Sequence, residues 1–112
     1  MDIQHFITSW LAASNAYDTQ KYLEFYLPEA VLDDPSIGRI FEGHQGVKEY
    51  FNNYFIGYQT QTRQLLLDIV DDSHAHLEVE FTGDFPEGII GGIFDFTFKN
   101  NKIVALNADL KH

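Results

Sequence analysis

An α+β domain, with three short helices packed on one face of a curved and mainly antiparallel sheet, is the fold class this sequence predicts. Three observations carry it. Apolar residues recur at helical spacing in the first half of the chain, they alternate strictly in the second half, and turn residues mark the boundaries between strands. The 112 residues match one compact domain, 1–112, and leave no room for a second. A hydrophobic fraction of 45% with ten phenylalanines supplies a core and a lined cavity, which excludes disorder.

The first helix is read over Asp2 to Tyr17, where Ile3, Phe6, Ile7, Trp10, Leu11 and Ser14 form one stripe. Trp10 lies mid-stripe, either as core or as a pocket wall. Asp18 is positioned as the N-cap of a second helix from Thr19 to about Leu27, which Pro28 ends. Its aromatics Tyr22, Phe25 and Tyr26 share one face. Val31 and Leu32 then form a strand, Asp33-Asp34-Pro35-Ser36 is turn chemistry, and Ile37 to Glu42 returns as a second strand. Gly43-His44-Gln45-Gly46 leads into a third helix with Val47, Tyr50, Phe51, Tyr54 and Phe55 on one side, punctuated by Gly57.

The remainder reads as strands. Residues 62–71 are an apolar run that ends at the Asp71-Asp72-Ser73 turn. Residues 74–82 alternate, with Ala75, Leu77, Val79 and Phe81 on one face and His74, His76, Glu78 and Glu80 on the other. Residues 89–98 place Phe94, Phe96 and Phe98 together, opposite Ile93, Asp95 and Thr97. Asn100-Asn101 suits a tight hairpin turn, and Lys102 to Leu110 completes the sheet. Gly91-Gly92 inside this pattern predicts a bulge.

Charge narrows the partners. With 17 acidic and 7 basic side chains the formal charge is -10, which repels phosphate backbones and anionic membranes. Nucleic acid and membrane are therefore not expected partners; neutral, apolar or cationic small molecules remain open. The chain has no cysteine, hence no disulfide or thiolate metal site, which fits a cytoplasmic location.

Taken together, Trp10 to Asp18, Phe25 to Pro35, Gly43 to Phe51 and Phe96 to Ile103 resemble the SnoaL-like and ketosteroid isomerase-like branch of the nuclear-transport-factor-2-like superfamily. The resemblance spans nearly the whole chain and rests on joint order and spacing. It implies a cone-shaped fold around an apolar pocket, a homodimer formed through the outer sheet face, no cofactor, and a small apolar ligand. It also implies isomerase, cyclase or dehydratase chemistry, or noncatalytic binding in the same pocket.

Isomerase chemistry requires a carboxylate base and donors for the enolate oxygen. By the resemblance Asp34 falls on the base. The donor positions fall on Trp10 and Phe94, neither of which can serve as the isomerase's donors do. Asp34 has a plainer reading as well, since beside Pro35 it can cap local amides. Acids on late strands serve some cyclases of this kind, so Asp95 and Asp109 are secondary catalytic candidates. The expected pocket wall is Trp10, Tyr17, Phe25, Tyr50, Phe51, Tyr54, Phe94 and Phe96. His74 and His76 share a strand face beside Glu78 and Glu80, but the spacing fixes no third ligand, and no metal is expected.

Overall fold

The computed structural model describes residues 1–111. Its elements are α1 (Ile3–Asn15), α2 (Thr19–Glu24), β1 (Tyr26–Asp34), β2 (Arg39–Glu42), α3 (Gly43–Phe51), a π-helical turn (Asn52–Ile56), β3 (Gln61–Asp71), β4 (His74–Thr82), β5 (Ile89–Lys99) and β6 (Lys102–Leu110). The strands form one six-stranded sheet in the order β2-β1-β6-β5-β4-β3. Pairing is antiparallel throughout except between β1 and β6. No described helix is long and apolar enough to cross a membrane.

Local chemistry sets most of these boundaries. The Asp2 carboxylate accepts the His5 amide at 3.0 Å and starts α1, and Asp18 accepts the Lys21 amide at 3.1 Å and starts α2. Asn100 and Asn101 both hold positive φ, 53° and 62°, which is the twist that a two-residue hairpin between β5 and β6 demands. His44 does more than lead into α3: its Nε2–H donates to the Tyr26 carbonyl at 2.8 Å and ties the start of that helix to β1.

Several boundaries differ from expectation. Helix α2 stops at Glu24, before Pro28, and Pro28 lies inside β1. The parallel register with β6 jumps between Tyr26 and Val31, so the proline's missing N–H falls where the ladder is already interrupted. The turn after β1 sits later than Asp33–Ser36, because the amides of Ile37 and Gly38 donate to the Asp34 carbonyl at 3.1 and 3.0 Å. The third helix changes to a π-helical turn after Phe51, with the Gly57 amide reaching the Asn52 carbonyl at 2.9 Å. Gly91-Gly92 makes no bulge: Glu80 pairs Gly91 and Val79 pairs Gly92 in unbroken register. Gly92 is needed for space, since a Cβ there would run into the Phe81 ring.

The helices cover the inner sheet face, where Ala75, Leu77, Val79, Phe81, Phe94, Phe96 and Phe98 are all buried. One part of that layer is solid aromatic packing. Trp10 meets Phe94 and Phe96 edge-on at 5.1 Å each, Phe96 stacks on Phe98 at 5.6 Å, and Phe6 bridges Phe25 and Phe98 at 5.2 and 5.1 Å. The Trp10 indole N–H donates to the Tyr26 hydroxyl at 3.2 Å, which in turn donates to the Tyr22 hydroxyl at 2.7 Å. Burial raises the pKa of both phenols, so both stay protonated.

Candidate active site

Phe94, whose far neighbour is Trp10, also lines an open cavity of about 250 Å³. From α3 and the segment after it come Tyr50, Tyr54, Phe55 and Tyr58. The sheet and its β4–β5 loop contribute Phe81, Phe85, Ile90 and Leu110, and the turn after β1 adds Asp34, Ser36 and Ile37. The rings form a continuous wall: Tyr50 lies 5.6 Å from both Tyr54 and Phe55, Phe55 lies 5.8 Å from Phe81, and Phe81 lies 5.9 Å from Phe94.

Asp34 is the polar centre of this wall and is only 4% exposed. Its Oδ1 accepts the Ser36 amide at 3.0 Å and the Ser36 hydroxyl at 2.5 Å, while Oδ2 accepts the Tyr50 hydroxyl at 3.0 Å. The bond to the amide two residues on is the local Asx geometry that an aspartate in a turn adopts readily. Burial first, then the adjacent Asp34 charge, raises the Tyr50 pKa well above the usual phenol range, so Tyr50 remains a donor. Three donors therefore hold the carboxylate in place, and Oδ2 keeps room for one more partner. Arg39, the cross-strand partner of Asp34, pairs instead with Glu49 at 2.9 Å and lies over the Phe41 ring.

Of the predicted site residues, the structure brings together Asp34, Asp109, Tyr50, Tyr54 and Phe94. The others lie elsewhere, each for a visible reason. Trp10, Phe51 and Phe96 are fully enclosed by other rings: Trp10 by Tyr22, Phe94 and Phe96, and Phe51 by the Tyr22 ring stacked 4.0 Å away. Phe25 is turned toward Phe6, and Tyr17, at φ 56°, accepts a hydrogen bond from Gln61 at 2.9 Å. Asp95 pairs Asn107 and His76 on the outer face, because alternation sends it opposite Phe94. Asp109 borders the cavity, but it is in register with Ile93, and its Oδ1 accepts the Leu110 amide at 2.8 Å. Ser36, Phe55, Tyr58, Phe81 and Phe85 were not anticipated as lining. Alternation already turned Phe81 inward, and the Asx geometry at Asp34 would have pointed to Ser36.

A sequence profile described as the SnoaL-like domain matches residues 7–106. The chain belongs to the SnoaL-like domain family. Solved structures resemble this SnoaL-like domain over nearly its full length. A candidate polyketide cyclase of Sinorhizobium meliloti is 20% identical with a TM-score of 0.84, covering 93% of each chain. A hypothetical protein of Catenulispora acidiphila with a ketosteroid isomerase-like fold, in complex with trimethylamine, is 11% identical with a TM-score of 0.81 over 92% of this chain and 82% of the other. The epoxide hydrolase/cyclase-like enzyme SalBIII, of pyran ring formation in salinomycin, is 16% identical with a TM-score of 0.83 over 96% and 89%. A search of curated proteins gave no match. At these identities the structures establish the fold alone.

The outer face of the SnoaL-like domain carries a separate charged cluster. His74 Nδ1 lies 2.8 Å from Asp71, and His76 sits between Asp95 at 2.6 Å and Glu78 at 3.1 Å, with Lys111 also on Glu78. Hydrogen bonds to Asp95 and then Glu78 raise the His76 pKa, since both ring nitrogens donate to carboxylates in the protonated form. That stabilisation is complete below the unfolded histidine value of about 6.5 and is lost as pH rises through the raised folded value. Thermal unfolding of the wild type between about pH 6 and about pH 9 is therefore expected to lose more stability than that of His76→Gln. Parallel pH profiles for the two proteins would remove the role assigned to this pair of carboxylates.

Proposed function

We propose that this SnoaL-like domain binds a small apolar molecule in the aromatic cavity and catalyses a cofactor-independent proton transfer with Asp34 as general base. The observation that carries the reading is a buried carboxylate, fixed by Ser36 and Tyr50, on the wall of a cavity lined mainly by aromatic and aliphatic residues. Hydrogen bonds from three neutral donors orient the acid and leave one lone-pair direction of Oδ2 for a substrate proton. Tyr54 and Tyr58 line the same cavity and are the phenols available to polarise a substrate oxygen, the task for which neither Trp10 nor Phe94 is suited. Isomerisation, cyclisation and dehydration all begin with such a proton transfer.

Exchange in deuterated water tests this directly. Incubated with a panel of apolar carbonyl compounds, the protein is expected to wash deuterium into the carbon next to the carbonyl, read by mass spectrometry. Binding detected as a thermal shift with no exchange across the panel would favour the second reading, a noncatalytic ligand-binding module in the same cavity. That reading draws on the Tyr50 and Ser36 hydroxyls, which are already spent on Asp34.

We also propose a homodimer. Leu65, Leu66, Ile69 and Val70 on edge strand β3 are each at least 50% exposed, an apolar surface that a second copy would cover. Leu66→Asp is expected to shift the sedimentation mass from dimer to monomer; a wild type that sediments as a monomer at all concentrations rejects the assembly.

A further inference from the structure

Among the described residues, the charge of Asp34 has no counter-charge. All three of its hydrogen bonds come from neutral groups, the Ser36 amide and hydroxyl and the Tyr50 phenol. Among the described residues, those that border the cavity include Asp34 and Asp109 but neither lysine, arginine nor histidine. Arg39, the nearest cation by strand register, is engaged by Glu49 and Phe41. A buried carboxylate left without a positive partner is costly, and a partner that arrives with the ligand recovers that cost on binding.

The surrounding surface suits a positive ligand. Tyr50, Tyr54, Phe55, Tyr58, Phe81 and Phe94 present aromatic rings around the same space, and the faces of such rings attract cations. The net charge of -10 adds a long-range field that draws cations toward the molecule and repels anions. A carboxylate, phosphate or sulfate ligand would meet only like charge here.

We infer that the occupant of this cavity is an organic cation, a small apolar molecule whose protonated or quaternary amine rests against Asp34 and the aromatic wall. The inference rests on the proposed reading of the cavity as a small-molecule site. It is compatible with proton transfer: in a substrate that also carries a carbonyl, the carbon next to it gives its proton to Asp34 Oδ2 as the C–H bond breaks, and the electron pair moves onto the carbonyl oxygen, whose negative charge the nearby positive nitrogen offsets. Such a substrate has less need of the separate oxyanion donors that Trp10 and Phe94 displace.

Two molecules of the same shape decide the matter. Phenyltrimethylammonium and its uncharged isostere tert-butylbenzene are titrated into the isotopically labelled wild type, with benzoate as the anionic control, and dissociation constants are read from the aromatic resonances of Tyr54 and Phe94. The cation is expected to bind at least roughly tenfold more tightly than the isostere, benzoate not at all, and the preference is expected to disappear in Asp34→Asn. Equal or tighter binding of tert-butylbenzene overturns the cation while leaving the apolar site intact. Absence of binding by all three compounds counts against both the cation and the cavity as a ligand site. A cation preference that survives Asp34→Asn with an unchanged spectrum elsewhere overturns the assignment of Asp34. The wild-type comparison needs no variant, so a misfolded Asp34→Asn protein does not remove the test.

Discussion

Asp34→Asn is expected to slow deuterium exchange into any carbonyl compound that the wild type labels by roughly 10²–10⁴-fold, the usual contribution of a positioned general base. The substitution keeps the size of the side chain and one acceptor oxygen. Ser36 can therefore still donate to it, while the amide nitrogen offers Tyr50 a donor where Oδ2 offered an acceptor. The fold should survive, because Asp34 sits at the end of β1 and its backbone carbonyl, which closes the following turn, is untouched. Tyr50→Phe is the informative companion. It removes one donor from Oδ2 without removing the base, so its exchange rate should fall far less than that of Asp34→Asn. If Asp34→Asn retained exchange within about tenfold of the wild type, Asp34 would be a turn residue and the base would lie elsewhere.

Trp10→Ala is expected to cost about 3–5 kcal/mol of unfolding free energy, a large fraction of the roughly 5–15 kcal/mol that holds a domain together. Trp10 is 1% exposed and touches rings on three sides, from Tyr22, Phe94 and Phe96. Truncation leaves a void that those rings cannot fill without leaving their rotamers, and it takes the indole donor away from the buried Tyr26 hydroxyl. Because Phe94 stands between Trp10 and the cavity, the same change should loosen the cavity wall and weaken ligand binding in step with stability. Denaturant unfolding of Trp10→Ala and Trp10→Phe measures it. A loss below about 1 kcal/mol for Trp10→Ala would show that the aromatic layer closes over the gap.

Much of the architecture was legible before any coordinates. Strict alternation over residues 74–82 placed Ala75, Leu77, Val79 and Phe81 inside, and the structure buries all four. Alternation also put Phe94, Phe96 and Phe98 on one face and Asp95 on the other, and an Asn-Asn pair announced the last hairpin. These are local properties: a strand's period of two and the steric tolerance of asparagine for positive φ act within a few residues. What failed locally failed for tertiary reasons. Pro28 belongs to a strand because a ladder already broken beside β6 could accept it, and Gly92 is a clearance for the Phe81 ring on the neighbouring strand.

The candidate site divides the same way. Sequence by itself determined the fold class, the inward faces of residues 74–82 and 94–98, the apolar stripes of the first and third helices, and the position of Asp34 at a strand end beside a proline turn. The aromatic stripe expected of the second helix failed, because that helix ends at Glu24 and Tyr26 begins β1. Only the tertiary structure decided which inward rings line the cavity. Periodicity reports whether a side chain faces in or out but carries no information on its depth along the cone. Trp10, Phe51 and Phe96 therefore became core, while Phe55, Phe81 and Phe85 became wall. It also decided the partners of Asp34, because Tyr50 lies on a helix that only packing brings within 3.0 Å of Oδ2, whereas the same packing gives Arg39 to Glu49. The counter-charge missing for Asp34 among the described residues, on which the proposed cationic ligand rests, is a property of that three-dimensional arrangement alone.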